Sequence, residues 1–166
     1  MIALRRILVP TDFSLPAQKA LRYAIEFAKR FEAEILLVHV VEPPAYAAAF
    51  ARGGPVQETE EQRRAYEWFD SQLENQGKEE IPDAIPQRRI LLKGAASAEI
   101  ALCAAREDAD LIVMATSGRS GLKDVILGST AERVLRKSPC PVMTVHRDQA
   151  RDFIGDSSVE EPWSDG

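Results

Sequence analysis

Five short runs of the chain are apolar almost throughout, and none alternates apolar with polar residues. They are Arg6-Ile7-Leu8-Val9-Pro10, Glu34 to Val41, Arg88 to Leu92, Leu111-Ile112-Val113-Met114 and Val142 to His146. A strand with one wet face alternates, whereas a continuous apolar run is buried on both faces. Between the runs the period changes to that of a helix, as in Ala17, Leu21, Ala24, Ile25 and Ala28. Strand and helix alternating in this way predict an α/β protein, with a five-stranded parallel sheet and helices on both faces in a three-layer α/β/α arrangement. Such sheets take ligands beyond the carboxyl ends of their strands, where the strand order reverses.

The punctuation between the runs places the helices. Ser14 is suited to N-cap a helix from Leu15 or Pro16 to about Phe31. Glu42-Pro43-Pro44 stops the second strand, and residues 43–56 form an excursion rich in Ala, Pro and Gly. A polar helix follows from about Gln57 to Gln76, with Ala65, Phe69 and Leu73 on one side and Gly77 as its stop. Residues 78–86, with Pro82 and Pro86, read as a loop. Gly94 ends the third strand, and Ser97 is placed to cap a helix through Ile100, Ala101, Ala104 and Ala105. The last helix spans Ser129 to Lys137. Residues 1–147 are read as one domain, and 148–166 as an acidic, disordered or loosely attached tail in which Trp163 is the residue suited to docking.

Bulk properties narrow the class. A chain of 166 residues, 45% hydrophobic and 28% charged, is the size of one globular domain with a full core. A net charge of −5 argues against a surface that coats nucleic acid. No apolar run approaches the ~18–20 residues of a membrane span. The start lacks the cleavage region of a signal peptide. Cys103 and Cys140 supply neither a disulfide framework nor zinc spacing. The expectation is a cytoplasmic protein without nucleic-acid or membrane partners.

The chemistry concentrates between Val113 and Thr130. An apolar strand end gives way to a small-residue loop with Gly118 and Gly121, which closes on Gly128-Ser129-Thr130 before a helical pattern. The first amides of a helix have no internal partner, and the helix dipole favours negative charge there. Glycine lets a phosphate approach the backbone, and Ser129 and Thr130 add hydroxyl donors. A turn followed by an ordinary N-cap accounts equally well for these residues taken alone. Neither Gly-x-x-x-x-Gly-Lys-Ser/Thr nor Gly-x-Gly-x-x-Gly occurs.

The chain resembles the universal stress protein family from Arg6 to Val145. The resemblance is carried by Ile-Leu-Val-Pro-Thr-Asp-Phe-Ser at 7–14, His39-Val40-Val41, Ala109 to Met114, and the run from Gly128 through Leu135 to Cys140-Pro141-Val142. It implies a Rossmann-like fold of the adenine nucleotide alpha hydrolase type. Members that bind ATP carry Gly, two residues, Gly, nine residues, then Gly and Ser/Thr. Here Gly118, the nine residues Arg119 to Leu127, and Gly128-Ser129 fit, while Ala115 stands at the first glycine. The resemblance further implies an adenosine pocket with Thr11 and Asp12 against the nucleoside, Val40 at the adenine edge and Met114 in the wall. Gly118, Arg119, Gly128, Ser129 and Thr130 would hold the phosphates. The implied ligand is ATP, with or without magnesium, or ADP or AMP in its place. His39 and His146 read as structural, and without the family Asp12 reads as a turn carboxylate or accessory cap.

The leading function is a nucleotide-dependent stress-response or signalling module rather than an enzyme, because the motif loops show no nucleophile paired with a base and no metal cluster. A nucleotide-free dimeric interaction module is the alternative, and a slow ATPase ranks third. An apolar, uncharged fifth strand at the sheet edge would recruit its own copy into a homodimer. The protein partner is not legible.

Overall fold

The computed structural model describes residues 3–42, 59–116 and 127–146. The excursion at 43–56, the Gly118–Gly121 loop and the tail with Trp163 lie outside these residues. Strands β1 (Arg6–Pro10), β2 (Glu34–Val41), β3 (Gln87–Lys93), β4 (Leu111–Ala115) and β5 (Val142–Val145) form one sheet in the order β3-β2-β1-β4-β5. Every neighbouring pair is parallel, with Ile7 opposite Ile35 on one side of β1 and opposite Leu111 on the other. Helices α1 (Leu15–Phe31), α2 (Glu60–Glu80), α3 (Ala96–Arg106) and α4 (Ser129–Lys137) cover both faces.

Period-two geometry sends alternate strand residues to opposite faces, and both faces are apolar. Ile7, Val9, Ile35, Leu37 and Val113 pack with Leu21 and Ile25 of α1 and Leu73 of α2. Leu8, Leu36, Val38, Ile112 and Met114 pack on the other side with Ile100 and Cys103 of α3 and Val134 of α4. This is the doubly covered sheet that the unbroken apolar runs require.

Ser14 caps α1, its Oγ accepting the Ala17 N–H, and Ala17, Leu21, Ala24, Ile25 and Ala28 are all buried. Two other boundaries differ from the sequence reading. Gly77 does not stop its helix. The helix starts behind a Thr59–Gln62 capping box and runs on to Glu80. Gly77 lies inside it, buried against β3, where an added Cβ would sit 2.8 Å from Gln87 Oε1 and 3.0 Å from Arg89 Cδ. The missing side chain serves close packing there. Ile81, buried and extended just before Pro82, provides the stop. Ala65 is exposed, because only the second half of α2 settles into the core, through Leu73, Gln76 and Gly77.

Nor does Ser97 cap α3. It is buried within the helix, and Ala105 is exposed. The cap comes from far away in sequence, as Glu42 Oε1 at the end of β2 accepts the Ala96 N–H at 2.5 Å. Gly94 does end β3, with a φ of +140° that favours glycine.

The Ser14 cap is also held by Asp12, whose Oδ1 accepts from both the N–H and the Oγ of Ser14. Ser14→Ala is therefore expected to lower unfolding stability by about 1 kcal/mol, within the 0.5–2 kcal/mol range of lost N-caps. Urea denaturation followed by circular dichroism measures it, and an unchanged midpoint would show that the cap contributes nothing.

Candidate functional site

At their carboxyl ends β1 and β4 diverge in connection: the chain leaves β1 for α1 on one face and enters α4 on the other. A crevice opens between them, as it must at a switch point in strand order. The structure has a cavity of about 380 Å³ there, floored by the ends of β1, β2 and β4 and by the start of α4. Thr11, Asp12, Val40, Met114, Ala115, Gly128, Ser129 and Thr130 all line it. Gly118 and Arg119 lie outside the described residues.

The β1 side is rigidly bonded. Thr11 is buried, its N–H donates to Val38 O at 2.8 Å, and its hydroxyl donates to Gln76 Oε1 of α2 at 2.9 Å. The same hydroxyl accepts the Phe13 N–H at 3.0 Å. The carbonyl of Thr11 can only accept, so the 2.7 Å contact with His39 places a proton on Nδ1. His39 is buried and packs its ring 4.6 Å from both Phe13 and Phe69, which accounts for it as a structural residue. Phe13 adopts a left-handed φ of 63°, an uncommon conformation for a bulky residue.

The β4 side ends on a helix start prepared differently from the others. Ser14 caps α1, Thr59 caps α2 and the Glu42 carboxylate caps α3. At α4 the N-cap is Gly128, which offers no side chain. Its φ of −69° is open to any residue, so its value is the absence of a Cβ and not backbone freedom. The amides of the first turn of α4 thus face a cavity, with the exposed Ser129 and Thr130 hydroxyls beside them. That is the geometry of an anion seat. Ala115 pairs with Val145 in the regular ladder and is not among the positive-φ residues, so its backbone did not need glycine.

Thr116 escaped the sequence reading. It lines the cavity one residue past β4, donates its N–H to Val145 O at 3.0 Å and accepts the Gly128 N–H at 2.6 Å. It thereby fixes the start of α4 against the sheet. Its hydroxyl is buried without a hydrogen-bond partner among the described residues. Phe69 and Glu42 also line the cavity and also went unread, since each comes from an element outside the glycine-bearing loop. A position directly after a strand in the switch-point layer was the available signal for Thr116 and Glu42. Phe69 had only its helical spacing.

Burial pushes both thiols, Cys103 and Cys140, above the ordinary cysteine range, so neither is an activated nucleophile. Among the described residues no group of three His, Cys, Asp or Glu could hold a metal ion, and no helix is long and apolar enough to cross a membrane.

The chain is similar over most of its length to known proteins. The model of the universal stress protein family matches residues 3–146. Universal stress protein MJ0531 of Methanocaldococcus jannaschii is 31% identical over 151 residues, covering 86% of this chain and 82% of its own. The solved structure of MJ0577, a universal stress protein of the same organism, superposes with a TM-score of 0.76 at 31% identity, covering 89% of this chain and 99% of its own. A universal stress protein solved in complex with cAMP shares the fold, with a TM-score of 0.55 at 21% identity over 87% of this chain and 98% of its own. With the alternating strands and helices, the parallel sheet and the near-complete match in agreement, the chain belongs to the universal stress protein family.

Proposed function

We propose that the cavity binds an adenine nucleotide, with ATP as the leading ligand and ADP or AMP as alternatives, and that the protein is a nucleotide-dependent stress-response module rather than an enzyme. The observation that carries this reading is the start of α4. It is the one helix start among the described residues without a capping oxygen from its cap residue or a neighbouring strand, and it opens onto the switch-point cavity. The lining at β1 and β2 carries Asp12 and Glu42, which suit hydroxyl and amine donors and repel phosphate. A nucleotide is polar in the same sense. Its phosphates belong at α4 with Gly128, Ser129 and Thr130, joined by Gly118 and Arg119, and its nucleoside belongs at Thr11, Asp12, Val40 and Met114. A relative of the same fold held cAMP. Any magnesium would arrive on the phosphates rather than on a protein cluster.

Gly128→Val should abolish ATP binding while leaving the circular dichroism spectrum intact, and Ser129→Ala should weaken it by ~1.5–3 kcal/mol, the worth of a hydrogen bond to a charged group. Calorimetric titration with ATP, ADP and AMP reads both. Unchanged affinity in Gly128→Val would remove α4 from the site, and no binding of any nucleotide by the wild type would favour the nucleotide-free interaction module.

Ala115 offers a finer test. With ordinary backbone geometry there, what sets Ala115 apart from glycine is its methyl at the cavity lining. Ala115→Gly is expected to tighten ATP binding by up to about tenfold, ~1.4 kcal/mol. Adenosine should gain less, and an equal gain for both ligands would locate the methyl's effect elsewhere.

The same reading includes assembly. β5 is an edge strand of four residues, Val-Met-Thr-Val, with no charge to blunt it. Two copies pairing β5 antiparallel about a two-fold axis would cover both edges. Light scattering at micromolar concentration should give a dimer, and Val142→Lys should give a monomer. A monomeric wild type would exclude this assembly.

A further inference from the structure

The cavity has one wall that the glycine-bearing loop and the strand ends do not supply. Phe69, midway along α2, lines it. Packing places this wall, because α2 lies on β2 and β3 whereas α4 follows β4 and lies beside β5. Phe69 therefore belongs to the α1 and α2 face of the sheet, and the start of α4 to the α3 and α4 face. His39 and Phe69 are the aromatic rings among the described residues that line the cavity, and of the two only His39 is buried. The Phe69 ring is partly exposed.

Three rings fix its orientation. His39 lies 4.6 Å away at 32°, Phe13 lies 6.2 Å away and nearly parallel at 13°, and Trp68 meets it edge-on at 4.9 Å and 75°. A ring held from several sides while still lining a cavity is a preorganised flat surface. Val41, on the His39 face of β2, adds apolar strand end to the lining, while Val40 and Glu42 line the cavity from the α3 face. A flat, apolar ring in a cavity wall suits a heteroaromatic base, which stacks on any such ring.

We infer that Phe69 is the base-stacking residue of the site and that α2, outside the phosphate-binding loop, determines how tightly the nucleobase is held. The inference rests on the nucleotide reading above. Stacking acts on the base alone, so its loss weakens every ligand carrying that base by one factor, whatever the phosphate number. Trp68, whose ring touches Phe69 and is half exposed, reports the same event optically.

The test uses the full chain. ATP, AMP and adenosine are titrated calorimetrically into the wild type, Phe69→Leu and Phe69→Tyr. Phe69→Leu should weaken all three ligands by the same factor, about tenfold, and Phe69→Tyr should restore wild-type affinity. In a Trp163→Phe background adenosine should alter Trp68 emission, and ribose should not. Wild-type affinity in Phe69→Leu, a loss that grows with phosphate number, or a Trp68 signal indifferent to adenosine would each overturn the stacking role. Those results leave the nucleotide reading standing as long as the wild type binds ATP. A wild type that binds none of the three ligands would instead remove the nucleotide reading, and the stacking role with it.

Discussion

The pairing of β1 with β4 is the constraint from which the site follows. These strands are joined by no short connection. Ile7 sits opposite Leu111 and Leu8 opposite Ile112, about a hundred residues apart. Closing so long a loop is entropically unfavourable, and the structure secures the junction with more than ladder bonds. Asp110 Oδ2 accepts the backbone N–H groups of Arg5 and Arg6 at 2.7 and 2.9 Å, tying the start of β4 to the start of β1. Leu8 and Ile112, both fully buried, close the same seam on the α3 and α4 face. Once β1 and β4 are neighbours, their following helices must go to opposite faces, and the crevice at their carboxyl ends is unavoidable. Moving β4 to another place in the sheet would abolish the cavity without altering a single cavity-lining residue.

Within that crevice the chemistry depends on which helix starts are already satisfied. Helices α1, α3 and α4 all begin at the carboxyl edge of the sheet, so each presents orphan amides there. Ser14, supported by Asp12, satisfies α1, and the Glu42 carboxylate satisfies α3. Asp12 and Glu42 also bring carboxylates to the lining of the cavity at β1 and β2. Among the described residues only the start of α4, behind Gly128, is left without a side-chain acceptor for its first amides. The distribution of caps therefore puts carboxylates at the β1 and β2 lining of the cavity and an uncapped helix start at α4.

This explains what could be read from the chain and what could not. Features set by neighbours in sequence were legible: the apolar runs of the strands, the Ser14 cap, the break at Gly94, and the Gly128-Ser129 start of α4. Strand runs without alternation also gave the two-faced sheet, and with it the location of the crevice. Features set by distant residues were not legible. Gly77 looks like a helix stop until β3 is laid against it, and then its missing side chain makes room for those of Gln87 and Arg89. Ser97 looks like a cap until Glu42, 54 positions before Ala96, takes the role by accepting the Ala96 N–H. Thr116, Glu42 and Phe69 reach the cavity because of how elements stack. Helical periodicity put Phe69 on the apolar side of α2, but it says nothing about which cavity that side borders.

The turn after β1 links these parts. Phe13 holds a left-handed backbone, a conformation that disfavours an L residue with a Cβ by about 1–2 kcal/mol. Such strain persists only where surrounding contacts over-determine it. Here the Thr11 hydroxyl accepts the Phe13 N–H, and the Phe13 ring lies against His39 and Phe69. The same hydroxyl donates to Gln76. Thus α2 is fastened to the β1 turn at two points two helical turns apart, Phe69 through its ring and Gln76 through its amide. Asp12 lies between the two residues that make these bonds, Thr11 and Phe13. A shift of that turn would disturb both fastenings at once. The helix is thus held on one side by the core, through Leu73 and through Gly77 against β3, and on the other by the turn that borders the cavity.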